Sequence, residues 1–214
     1  MTSPAHRVSN MAAAWRIAIP VVLLNAVIQA LLLVVDPSPP LTWWIWPLAL
    51  VSLAAIVVTL AVILAALLLG ARGDCSWSGA TSLTRSRLLP LLLYAAGLVI
   101  ASIIGFALWV LPGLIVLALT PYLLIAVMAG ESNPIMSNLR AIRARVGRWI
   151  LLLLVTGVVG GALWVGSALV AFFVPGALGT FLTWLVIGLA GTALVQMWCR
   201  AWRNVSSVAA SPAG

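Results

Sequence analysis

Ionisable side chains are scarce in this chain, and most of them are guanidinium groups. Eleven arginines stand against three acids, with one histidine and no lysine. The densest run is Arg140, Arg143, Arg145 and Arg148, which follows Glu131 inside one polar segment. Guanidinium groups keep their charge and present several donors, so this spacing suits phosphate-bearing groups at a membrane surface. Catalysis has little to draw on. His6 stands alone in the N-terminal tail, so no Ser-His-acid set can be assembled. The chain also has no carboxylate pair, metal-ligand cluster, P-loop or dinucleotide fingerprint. These residues predict a protein that is not an enzyme and needs neither cofactor nor metal.

A second set of polar groups lies inside apolar runs. Asn25 and Gln29 are one helical turn apart and face the same way. They predict either a hydrogen bond to a neighbouring helix, the commoner use, or, together with Tyr122, an intramembrane polar site. The apolar runs contain no Asp, Glu, Lys, Arg or His. That speaks against ion-coupled transport, which draws on ionisable groups inside the bilayer. Glu131 stands where an apolar run ends. There its carboxylate is placed to favour the next helix N-terminus or to pair with an arginine.

The elements that carry these residues follow from composition. Hydrophobic residues make up 64% of the 214 and charged ones 7%, against about 25% charged in a soluble domain. A helix needs about 20 apolar residues to cross a bilayer. The sequence predicts six such runs, over about 17–35, 41–70, 88–110, 114–129, 149–173 and 177–197, paired as three hairpins. Leu111-Pro112-Gly113 and Val174-Pro175-Gly176 carry turn chemistry between partners. The fold class is therefore all-α, a polytopic membrane protein with short amphipathic helices on its cytoplasmic side. With the N-terminus inside, all eleven arginines fall on inside segments and the outside loops keep only Asp36. Both termini are thus expected in the cytoplasm. Trp15, Trp77, Trp149, Trp198 and Trp202 then mark the inner interface, and Trp43, Trp44, Trp46 and Trp109 the outer one. Cys75 and Cys199 both fall inside, which argues against a disulfide.

The segment 131–148 is the leading functional candidate. Asn133 or Ser132 is a fitting N-cap, and Pro134 suits the first helical position. Ile135, Leu139, Ile142 and Val146 follow at i, i+4, i+7 and i+11 as one apolar stripe. The expected helix lies in the headgroup plane with that stripe down and Arg140, Arg143, Arg145 and Arg148 on other faces. It is either a contact platform or simply a topogenic anchor.

Packing signals are Gly97, Ala101 and Gly105 on the third run and Gly157 and Gly161 on the fifth. Gly188 and Thr192 offer the same on the sixth. The chain is expected to form one domain over 1–204, with a disordered tail over 205–214. Hairpin units of about 8–70, 74–130 and 131–202 suggest repetition, since Asp74 and Glu131 open two of them 57 residues apart.

The stretch from Leu111-Pro112-Gly113 through Glu131, Ser137-Asn138-Leu139-Arg140 and Gly147-Arg148-Trp149 resembles the YciC-like integral membrane proteins. It is also similar to the membrane domain attached to some bacterial glycerophosphoryl diester phosphodiesterases. Ala14-Trp15-Arg16 fits the basic, aromatic opening of their first hairpin. The sequence departs from them in Ser132-Asn133-Pro134 and in having no lysine, and it contains nothing of the phosphodiesterase catalytic domain. The resemblance implies a helical membrane domain without that activity.

Together these readings predict an accessory or scaffold protein of the bacterial cytoplasmic membrane. It would act through anionic lipid headgroups or a protein partner, a second copy of the chain included, and not through nucleic acid. The alternative is a membrane component of a transporter, or a small permease for an apolar or lipid-like solute.

Overall fold

The computed structural model describes residues 4–35, 45–108 and 110–209, and these are helical apart from short joints. The order is α1 (Pro4–Val35), α2 (Ile45–Arg72), α3 (Trp77–Leu108), α4 (Val110–Ala129), α5 (Pro134–Ala144), α6 (Val146–Phe173) and α7 (Ala177–Ala209). Five helices, α1, α2, α3, α6 and α7, are long and apolar enough to cross a membrane. The chain is an all-helical protein of the membrane-embedded type. The apolar α4 is shorter, at 20 residues, or about 30 Å.

Helices extend past the hydropathy limits wherever no residue stops them. The polar stretch 77–87 belongs to α3, because Ser, Thr and Arg lower helix propensity without breaking a helix. α3 is described to Leu108 and α4 from Val110. Pro112 and Gly113 therefore lie in the first turn of α4 and not in a turn between the helices. A proline is tolerated there because the early amides have no intrahelical partner. α7 continues to Ala209, so the tail expected to be disordered is helical over 205–209. Asp36, Trp43, Trp44, Trp109 and residues 210–214 lie outside the described residues.

A few polar contacts set the register between helices. Trp15 Nε1 donates to Gln196 Oε1 at 3.1 Å, joining the first half of α1 to the second half of α7. Arg203 donates to the carbonyl of Ala71 at 2.8 Å, joining the ends of α7 and α2. Trp198 Nε1 donates to Thr156 Oγ1 at 3.1 Å, between α7 and α6. These bonds gather the starts of α1 and α6 and the ends of α2 and α7 at one end of the bundle. The start of α3 and the end of α4 join them there through Arg87, described below. The arginines of the described side chains all belong to that end.

The core belongs to the same end. Residues 61–68 of α2 are buried without interruption, which marks a helix surrounded on every side. Around it lie Ala14, Ala18 and Val22 of α1, Leu91 of α3 and Ile125, Ala126 and Met128 of α4, with Trp198 and Trp202 of α7. α6 reaches this core only near its start, through Leu152 with Trp149 and Leu153 beside it. Leu152 is its one buried residue among those described.

The same joint is built twice. At the end of α2, Gly73 takes φ +99, and the amides of Gly73 and Asp74 both donate to Leu69 O at 3.0 and 3.2 Å. At the end of α4, Gly130 takes φ +83. There Glu131 donates to Ala126 O and Gly130 to Val127 O, both at 3.1 Å. Such left-handed endings favour glycine and close the last carbonyls of the helix. An N-cap follows each: Ser76 Oγ accepts from Gly79 N, and Asn133 Oδ1 accepts from Met136 N, both at 3.1 Å. Gly130, Glu131, Asn133, Met136 and the acceptor Ala126 each stand 57 residues after Gly73, Asp74, Ser76, Gly79 and Leu69, and only the bond of Gly130 N, to Val127 O, departs from the first joint. Beyond it the pattern diverges, because α3 runs on while the second copy breaks at Arg145 into α5 and α6.

The small-residue ridges divide in the same way. A Cβ added at Gly188 would run into Val22, so this glycine sets the approach of α7 to α1. Gly105 is buried. Gly97, Gly157 and Gly161 face open space instead, and within the chain the last two pack against nothing. Gly188→Ala is therefore expected to lower stability by about 1–3 kcal/mol through overpacking. Gly157→Ala should stay within about 0.5 kcal/mol. Thermal unfolding of the two variants in one detergent measures both.

Candidate functional site

The candidate site is built on α5 and the joint that precedes it. Asn133 is the N-cap and Pro134 the first helical residue, as the sequence predicts. The face of α5 that meets the protein coincides only in part with its apolar stripe: Ile142 packs against the core and Leu139 is half-buried. Pro134, Ser137, Asn138 and Ala141 are the buried residues, whereas Ile135 is 53% exposed. Small side chains at i, i+3, i+4 and i+7 let α5 lie close against α4. Asn138 Nδ2 fixes the position by donating to Leu119 O at 3.2 Å. Leu119 stands eleven residues before Gly130, about 16 Å along α4. α5 thus crosses the flank of α4 rather than its tip.

Glu131 forms a short polar chain. Its Oε2 accepts from Ser137 Oγ at 3.0 Å, and Arg140 donates to the same hydroxyl at 3.3 Å. The carboxylate therefore reaches its arginine through Ser137 and not by a direct pair. Arg140 also donates to Met136 O at 3.4 Å. Arg143 and Arg145 are exposed and Arg148 is half-buried. Among the described residues no carboxylate pairs with these three. Arg145 marks the break between α5 and α6, with φ −151 and ψ 60, and no side chain caps α6 there.

Two further arginines serve the fold. Arg203 meets the last turn of α2 at Ala71. The guanidinium of Arg87, on α3, lies against Gly130 at the end of α4, where a Cβ would meet its Nη2 at 2.5 Å. Cations at helix C-termini are favoured by unpaired carbonyls and by the macrodipole. The sequence shows both arginines, but the tertiary packing that selects them has no signal in it.

The polar intramembrane residues do not form one site. Gln29 exchanges two bonds with Ser52 of α2, accepting from its Oγ at 2.8 Å and donating to its carbonyl at 3.3 Å. Gln29 and Ser52 line a crevice of about 320 Å³ with Thr180 and Trp184. Asn25 is buried, and its Oδ1 finds no partner. Tyr122 is elsewhere, stacked edge-on to Trp198 at 5.0 Å and tilted against Trp202 at 5.7 Å. Trp184 and Trp198 are about 21 Å apart along α7. Tyr122 therefore belongs to an aromatic cluster at the arginine end and shares no cavity with Gln29.

Cys75 lies in the first joint and donates to Ala66 O at 3.6 Å. Burial raises its thiol pKa above the usual value, so the thiol form persists at neutral pH. Alkylation of Cys75 is expected to run slower at pH 7.5 than that of an exposed thiol and to rise with pH beyond 9. Rates of maleimide labelling on a Cys199→Ala background measure this. Rates equal to those of a free thiol at pH 7.5 would contradict it.

No family model, no curated protein and no solved structure matches the chain.

Proposed function

We propose that this protein is a non-enzymatic accessory or scaffold protein of a bacterial cytoplasmic membrane. α1, α2, α3, α4, α6 and α7 are its six spans, and the arginine end and both termini face the cytoplasm. Its working surface is α5 with the following turn, and its first ligand is the anionic lipid headgroup. The joints spaced by 57 residues support reading the chain as one domain grown from related hairpins. The resemblance to YciC-like membrane proteins suits the same architecture.

One observation carries the functional reading. α5 meets the protein through its small, polar side, which leaves Ile135 exposed and Arg143 and Arg145 open and without a carboxylate partner among the described residues. A helix in that arrangement lays its apolar side chains among acyl tails and its guanidinium groups among phosphates. Each such arginine contributes about 1 kcal/mol near an anionic surface. The transport alternative would draw on one polar site joining Tyr122 to Asn25 and Gln29, and Tyr122 lies with Trp198 and Trp202, away from the Gln29 crevice.

The test is purification in mild detergent of the wild type and of a variant with Arg140, Arg143, Arg145 and Arg148 changed to Gln, followed by mass spectrometry of bound lipids and proteins. The expected result is at least a tenfold loss of anionic lipid from the variant, in line with about 1 kcal/mol per arginine, while the protein still inserts. Loss of one specific protein instead would make α5 a docking surface. Identical sets from both would reduce it to an anchor.

A further inference from the structure

A groove runs between α3 and α4. Its larger part, about 530 Å³, is lined by Leu98, Ser102, Phe106, Thr120 and Leu124. A second recess of about 330 Å³ shares Leu98 and continues past Tyr94, Gly97 and Leu123 to Ile135 at the start of α5. Gly97 faces this space: a Cβ there would meet nothing within 4 Å. From Tyr94 to Phe106 the groove covers twelve residues of α3, about 18 Å. Measured from Arg87, Tyr94 stands about 10 Å and Phe106 about 28 Å along α3, so the recess at Tyr94–Leu98 falls about one leaflet deep, half of about 30 Å, and the larger part continues past it.

Charge marks one end of it. Arg87, Tyr94 and Leu98 stand at i, i+7 and i+11, on one face of α3. Arg87 is half-buried at the end of α4, and no carboxylate pairs with it among the described residues. The nearby Glu131 is held by Ser137. An apolar groove with a cationic side chain two helical turns beyond one end, on the same face of α3, fits an amphiphile with an anionic head.

We infer that the α3/α4 groove seats one acyl chain of an anionic phospholipid from the arginine-side leaflet, with its phosphate on Arg87. This rests on the membrane orientation given under Proposed function but uses neither Arg143 nor Arg145. The lipid acts as a wedge that fills the hairpin where the protein leaves it unfilled. Ile135 lines the inner recess, so the same lipid touches α5 and ties that helix to α3.

The experiment places the purified full chain in phosphatidylcholine nanodiscs doped with phosphatidylglycerol that carries a diazirine midway along one acyl chain. After illumination, labelled peptides are mapped by mass spectrometry. The expected result is labelling at Val99, Ser102 and Thr120 at least fivefold above that at Val158 and Trp164, the exposed positions of α6. Gly97→Leu fills the groove, and Arg87→Gln removes the charge. Arg87→Gln should cut groove labelling about fivefold, the factor that about 1 kcal/mol per arginine gives; Gly97→Leu should lower it by steric exclusion; both should leave α6 labelling unchanged. Arg87→Lys should retain most of it. Unchanged α6 labelling reports that the variants are folded, and Gly97→Leu does not touch the contact between Arg87 and Gly130. The triple variant at Arg143, Arg145 and Arg148 should leave groove labelling in place, so failure of the α5 platform and failure of the groove are read separately. Equal labelling of groove and α6 would overturn the proposal. So would indifference to both groove variants, or equal labelling by a phosphatidylcholine probe of the same design.

Discussion

The arrangement at the arginine end depends on a backbone constraint. α2 and α4 bring their C-termini into the most tightly packed part of the bundle, and the last carbonyls of a helix have no intrahelical donor. Left unpaired in an apolar setting, each would cost about 1–3 kcal/mol. The chain meets this with glycine at φ +99 and +83, whose turns fold amides back onto the helix. It then adds a guanidinium at each end, Arg203 at Ala71 and Arg87 at Gly130. Because those arginines come from α7 and α3, closing the helix ends also fixes which helices are neighbours.

The same constraint explains why the core is lopsided. In a bilayer the opposite ends of the helices can leave apolar side chains to lipid at no cost, since acyl tails are as apolar as leucine. The arginine end combines charge, backbone ends and aromatic side chains, so it gains most from packing. Tyr122, Trp198 and Trp202 form a cluster there, and the uninterrupted burial of residues 61–68 makes α2 its centre. α6 contributes little to this core. Its glycines at 157 and 161 follow the small-residue pattern and yet face open space, because the pattern marks a helix able to approach closely and says nothing of whether a neighbour comes.

This separates what was legible in the sequence from what was not. Hydropathy shows where apolar helices lie, and the cap at Asn133 was legible because its chemistry is local. The bounds of α3 and α7 were not, since polar residues without a breaker continue a helix as readily as they end it. The apolar stripe of α5 was visible, but periodicity cannot distinguish a face that packs on protein from one that meets lipid. The protein-facing side proved to be Ser137, Asn138 and Ala141, chosen by closeness of approach and by a carbonyl at Leu119. Likewise Asn25, Gln29 and Tyr122 share a polar character in sequence, and only the register of α4 against α7 shows that Tyr122 belongs elsewhere.

The arginines thereby fall into two groups. Arg140 and Arg203 are engaged with the chain's own hydroxyls and carbonyls, and Arg87 lies against the end of α4. Arg143, Arg145 and Arg148 follow within a few residues and are tied to no carboxylate among the described residues. An unengaged guanidinium loses little by staying in water, so its presence stabilises nothing in the fold itself. Arg143 and Arg145 lie exposed on the same segment as the exposed Ile135, and the membrane-surface contact proposed above accounts for both kinds of side chain, an anionic headgroup layer for the guanidinium groups and acyl tails for the isoleucine.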